Sequence, residues 1–114
     1  MNNNVFKPVR RAEVYYNDIL AGVLLLNRGR YTFIYDLKYM YSSNPSIALD
    51  MPKRKRYFCS PYLFPFFQGL LPEGANKSFL CERLGISRSD KFTMLVKLAN
   101  YETIGAITVR EGDT

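Results

Sequence analysis

Histidine is absent from this 114-residue chain, and cysteine occurs only twice, at Cys59 and Cys81. Without histidine there is no imidazole general base, no Ser-His triad and no use of the commonest metal ligand. Two cysteines are too few for a disulfide scaffold. No CxxC spacing accompanies them, so both read as reduced thiols in small apolar positions, and neither a metal nor a cofactor is expected. Long apolar runs are also missing. The longest uncharged one, Ile19 to Leu26, falls far short of a membrane span. The start, Met1-Asn2-Asn3-Asn4, lacks the apolar stretch of a signal peptide, so no membrane is involved and a cytoplasmic protein is expected. Paired acids and nucleophile–base spacings are likewise missing. No enzyme is expected.

What is present is a chain of 47% hydrophobic residues with nine Tyr and eight Phe. That is enough for one core, burying roughly two-thirds of the unfolded surface at this length. A surplus of aromatics is left to face a partner. Residues 1–9 read as a loose polar tail carrying Val5 and Phe6, and residues 10–110 as one domain. Ala12 to Tyr16, Ile19 to Asn27 and Arg30 to Tyr35 form a three-stranded meander, with turns at Asn17-Asp18 and Arg28-Gly29. Tyr31, Phe33 and Tyr35 share one face at period two. That face resembles an RNA-stacking sheet, but it lacks basic neighbours and is assigned to the underside of the helices.

Asp36 caps a short helical turn through Tyr41, and Ile47 to Leu49 reads as a short strand. Lys53 to Ser60 reads as an exposed connection. Helices are predicted from about 61 to 71, 75 to 84 and 89 to 98, the last capped by Ser89 with Asp90 favourable to its dipole. Thr103 to Val109 closes the chain as a β-branched strand. The fold class is therefore α+β: one small domain, an antiparallel sheet with about three short helices packed on it.

Two segments stand out as contact surfaces. Lys53-Arg54-Lys55-Arg56 holds most of the excess charge, since removing its four cations lowers +6 to +2. It reads either as a clamp on phosphates or an acidic surface, or as a solvated loop. The solvated loop is preferred, because no Gly-rich nest or base-reading helix accompanies it. In the first predicted helix, Leu63, Phe66, Phe67, Leu70 and Leu71 make a core stripe, and Phe67 and Leu71, at its edge, are counted among the candidate partner contacts. Tyr62 and Phe64 are then left over as partner anchors. For Phe64 by itself, burial under the 53–60 loop is the preferred reading, and the anchor role applies if the chain binds a partner. Pro72 ends the helix, and Glu73-Gly74 shapes the turn.

The string Phe66-Phe67-Gln68-Gly69-Leu70-Leu71-Pro72-Glu73-Gly74, with Lys77, Leu80 and Gly85 behind it, resembles the N-terminal subdomain of HipA-type serine/threonine kinases. Other motifs follow in order: Gly22 in a V-G-x-L-like run, Phe33-Ile34-Tyr35-Asp36 as F-x-Y-D, and Ser46 to Pro52 as I-S-L-S-L-P. Ile86 to Phe92 matches S-x-x-D-x-F, and Gly105-Ala106 matches the final G-A. The family usually carries a Gly and an Asp where this chain has Leu98-Ala99-Asn100-Tyr101. No Gly-rich phosphate loop, strand lysine or H-R-D-like segment follows.

The chain resembles a complete small protein, the stand-alone HipS-like component of a split HipB/HipS/HipT system. The resemblance implies a non-catalytic antitoxin that binds and inhibits a HipT-like kinase, with a HipB-like DNA-binding protein in a larger complex. It places Leu71, Pro72 and Glu73 against the kinase. Two alternatives stay open: a nucleic-acid-binding module, autonomous or complex-dependent, using the 53–56 loop, and an activating subunit completing a split kinase.

Overall fold

The computed structural model describes residues 9–99 and 105–112. The tail at 1–8, the departure at Asn100-Tyr101 and the start of the last predicted strand lie outside the described residues. Three strands form the expected meander: β1 (Arg10–Tyr16), β2 (Ile19–Asn27) and β3 (Arg30–Tyr35). Both connecting turns have two successive residues at positive φ, Asn17 and Asp18 (46° and 68°) and Arg28 and Gly29 (53° and 79°). That geometry matches the right-handed twist of the flanking strands, and Asn, Asp and Gly tolerate it best.

Helix α1 (Leu37–Met40) follows, and the Asp36 carboxylate accepts from the backbone N–H of Lys38 and Tyr39 as its N-cap. Then come β4 (Tyr57–Ser60), α2 (Pro65–Gln68), α3 (Gly74–Leu84), α4 (Lys91–Leu98) and β5 (Ile107–Glu111). The sheet is antiparallel throughout, in the order β4-β3-β2-β1-β5.

The sheet has two unlike faces. Ala12, Val14, Leu24, Tyr31, Phe33, Tyr35, Ile107 and Val109 point to one side and are buried. There they meet Phe67, Leu80, Phe92, Met94, Leu95 and Leu98 from the helical layer in a single core. The Phe33 ring packs edge-on to Tyr35 at 4.9 Å and lies 6.0 Å from Phe67. Gly22 crosses this face, where a Cβ would stand 2.4 Å from the Ile34 carbonyl oxygen and 2.7 Å from the Phe33 ring. Only glycine lets β2 lie that close. A register shift between Val14 and Tyr15 brings Ala21 and Gly22 both into the core.

Several expectations need correction. Tyr57–Ser60 is a strand paired with β3, not part of a connecting loop. Ile47 to Leu49 makes only an isolated bridge, Ala48 to Met51, between Pro45 and Pro52. Tyrosine hydroxyls hold this segment instead: Tyr35 donates to the Met51 carbonyl and accepts from Ile47 N–H at 3.0 Å, and Tyr39 donates to the Pro45 carbonyl at 2.6 Å. The cap of α4 is Asp90 rather than Ser89, accepting from Thr93 N–H at 3.1 Å and from its hydroxyl at 2.7 Å. Arg10 ties this cap to the sheet. It donates to the Thr93 hydroxyl at 2.8 Å, pairs with Glu111 at 2.8 Å, and lies 4.5 Å from the Phe92 ring centre.

Candidate partner-binding surface

The helical corner at residues 61–77 was expected to present six partner contacts. Its first helix is much shorter than predicted, covering only Pro65–Gln68, with Phe64 extended at the N-cap position (φ −58°, ψ 141°). The reason is local. Pro65 suits the first position of a helix but disfavours helical geometry in the residue before it. A helical wheel therefore does not apply to Phe64, and its side chain turns into the core at 7% exposure, packing 6.3 Å from the Phe67 ring. Phe67, Leu71 and Pro72 are buried as well. Phe64, the outward anchor candidate, is thus corrected to a core residue, and Phe67, Leu71 and Pro72 of the expected contacts lie buried beside it. Tyr62, at 74%, and Glu73 remain outside.

Backbone requirements shape the corner. Gln68 Nε2 donates to the Leu63 carbonyl at 2.8 Å, bracing the chain across Pro65. Gly74 opens α3 at φ +60°, a conformation that favours glycine. Glu73 occupies the N-cap position of α3, yet its side chain makes no capping bond. Gly85, at φ +68°, closes α3, with Ile86 N–H bonding the Cys81 carbonyl at 2.9 Å in a Schellman-type arrangement. A shallow cavity of about 350 Å3 lies along this corner, with Lys77 and Lys91 among its lining residues.

The basic run divides into two tethered and two outward cations. Lys53 Nζ donates to the carbonyls of Ser42 at 2.6 Å and Tyr39 at 3.3 Å. Arg56 Nε donates to the Tyr35 carbonyl at 2.9 Å, and its guanidinium lies 5.4 Å from the Tyr57 ring centre. Arg54 and Lys55 are exposed. Lys53 and Arg56 therefore tie the loop to backbone carbonyls at Tyr35, Tyr39 and Ser42, and only Arg54 and Lys55 face solvent as a solvated loop would have all four do.

The second face of the sheet, which the sequence reading passed over, is open. Arg11, Glu13, Tyr15, Leu20, Val23, Leu25, Thr32 and Ile34 point to it, and each is only half-buried. Tyr57, Cys59 and Arg110 extend it and are exposed. Val23 pairs with Ile34, and Ile34 with Tyr57. Along one margin Arg11, Val23, Leu25, Ile34 and Arg56 line a groove of about 280 Å3. Tyr15 donates to Glu13 at 2.8 Å, and that bond raises the phenol's pKa above its ordinary value. A usable signal was present in the sequence. Antiparallel sheets with one wet face alternate apolar and polar residues, whereas β2 carries apolar residues on both sides.

No cluster of three or more His, Cys, Asp or Glu side chains that could hold a metal ion occurs among the described residues. Nor is any helix among them long and apolar enough to cross a membrane.

Comparison with known proteins agrees with this geometry. The family described as the HipA N-terminal domain matches residues 12–110. A protein of Sinorhizobium fredii described as putative kinase Y4mE is 28% identical over 107 residues. The match spans 92% of this chain but only 25% of that protein. A solved N-terminal domain of HipA toxin superposes with a TM-score of 0.69 at 22% identity, covering 95% of this chain and 97% of the other. That likeness establishes the shared fold.

Proposed function

Because the chain belongs to the HipA N-terminal domain family, we propose that it is a non-catalytic antitoxin that docks on a separate HipA-type serine/threonine kinase and restrains it. The observation that carries the reading is the extent of the match. The family region takes up nearly all of this chain, and the chain corresponds to about a quarter of a relative described as a putative kinase. The similarity lies in the N-terminal subdomain, not in a kinase catalytic domain. Such a unit has a surface suited to packing on the remainder of the kinase, and no phosphoryl-transfer machinery of its own is legible in the sequence.

Within this reading a HipT-like kinase is the direct partner. A HipB-like DNA-binding protein would join a larger assembly, and DNA would be reached through that protein or through Arg54 and Lys55. Of the six corner residues expected at the kinase, Tyr62 and Glu73 are the two placed to touch it. Autonomous nucleic-acid binding draws less support, because Lys53 and Arg56 are spent on backbone carbonyls. The test is co-expression with a HipA-type kinase that lacks its own N-terminal subdomain. A complex that survives size-exclusion chromatography is expected. Separate elution of the two proteins would contradict the partnership.

A further inference from the structure

Of the six corner residues expected at the kinase only Tyr62 and Glu73 are exposed, whereas the open face of the sheet offers a broad surface with an apolar centre. We propose that this open face is the docking surface for the kinase, and that the patch it meets is apolar at its centre and ringed by carboxylates. The inference rests on the kinase partnership proposed above and assigns its location.

Three observations carry it. The first is composition. On a sheet face facing water, outward positions are ordinarily polar, yet Val23, Leu25 and Ile34 stand there together, each half-buried, with Leu20 beyond them beside α1. Contiguous apolar surface of this kind marks interaction sites on small proteins.

The second is charge. The margins carry the guanidiniums of Arg11, Arg56 and Arg110; Glu13 lies 3.8 Å from Arg11, and Asp36, whose carboxylate caps α1, lines the same groove as Arg11 and Arg56. Arg110 also reaches Asp18 at 3.3 Å while its guanidinium lies 4.3 Å from the Tyr15 ring centre. An arginine rim around an apolar floor is complementary to an acidic rim around an apolar patch. A second copy of this chain would present the same cations to it and add to a net charge of +6. RNA is disfavoured because the floor is aliphatic, while stacking needs aromatic platforms at the centre.

The third is size. The Sinorhizobium relative has about three-quarters of its length outside the matched region. A partner of that kind is large enough to cover a whole sheet face.

Cys59 supplies a test that needs no substitution. It is exposed on this face, with its sulfur 3.7 Å from the Thr32 hydroxyl, whereas Cys81 is buried in the core. The purified protein, alone and in complex with a HipA-type kinase that lacks its own N-terminal subdomain, is treated with N-ethylmaleimide and followed by mass spectrometry. Labelling of Cys59 should slow about tenfold or more in the complex, and Cys81 should stay unlabelled in both. Leu25→Lys, with its fold checked by circular dichroism, should weaken binding about tenfold or more, and Tyr62→Ala on the helical side should weaken it far less. Equal labelling of Cys59 in a complex that does form would overturn the docking surface and leave the partnership standing. So would a loss of binding confined to Tyr62→Ala. Absence of any complex would overturn both. Binding of a poly(U) oligonucleotide, abolished by Leu25→Lys, would reassign the face to RNA and overturn the proposal.

Discussion

The two faces of the sheet differ in what holds them. One is covered by helices and filled with Val14, Leu24, Phe33, Tyr35 and Val109, each in contact with several others. The opposite face carries Arg11, Glu13, Val23, Leu25 and Ile34, half in water. Side chains on the first are fixed by volume, because close-packed interiors resist both voids and insertions. Those on the second are limited mainly by β-propensity, so their identities are available for another purpose. Stability should therefore depend on one face and partnership on the other. That division of labour can be broken, or sharpened, by substitution.

The largest loss is expected for Phe33→Ala. The ring sits fully buried against Tyr35 and Phe67, and truncation should cost about 3–5 kcal/mol. Urea unfolding would read this as a much lower midpoint. Gly22→Ala comes next, because the new methyl meets the Ile34 carbonyl and the Phe33 ring. Overpacking of that sort costs about 1–3 kcal/mol. An unchanged midpoint would show that β2 and β3 can part easily.

Asp90→Ala removes the α4 cap and the pairing with Thr93, which should cost about 1 kcal/mol by the same measurement. Val23→Thr on the open face should change stability by less than about 1 kcal/mol. A larger loss there would contradict the division between the faces.

The remaining effect is read at alkaline pH. Burial pushes the Tyr39 phenol up to about 12 from its ordinary value of 10.0, with Tyr35 as the next cause. Burial also raises Tyr31 and Tyr35. A phenol whose folded pKa lies above its unfolded value favours folding fully below the unfolded pKa. That contribution is lost as pH rises through the folded value. Stability should hold up to about pH 10 and fall between about 10 and 12. Absorbance at 295 nm should show these tyrosines ionising together with unfolding. Ionisation of all tyrosines at their ordinary value in a folded chain would contradict the burial of the covered face.

The same contrast explains what the sequence allowed to be read. The meander was legible because period-two alternation in Tyr31, Phe33 and Tyr35 coincided with Asn17-Asp18 and Arg28-Gly29, whose turn geometry is local. The α1 cap at Asp36 was legible for the same reason. β4 was not, because the cations at 53–56 disguised Tyr57–Ser60 as part of a polar loop, and only pairing with β3 makes it a strand. The corner was misread at Phe64, although Pro65 held the signal that the helix begins one residue later. Asp90 displaced Ser89 as cap because its carboxylate reaches both the N–H and the hydroxyl of Thr93. The open face went unnoticed because Leu24-Leu25-Leu26 reads as one apolar run. Only the fold separates Leu24, fully buried, from Leu25 on the other side.

The most direct test of the account is autophosphorylation of a HipA-type kinase that lacks its own N-terminal subdomain, purified alone and with a stoichiometric excess of this protein. The account predicts suppression, with Leu25→Lys weakening it and Val23→Thr leaving the fold intact. Unchanged or stimulated phosphorylation in a complex that demonstrably forms would contradict the assignment of this chain as the kinase's restraint.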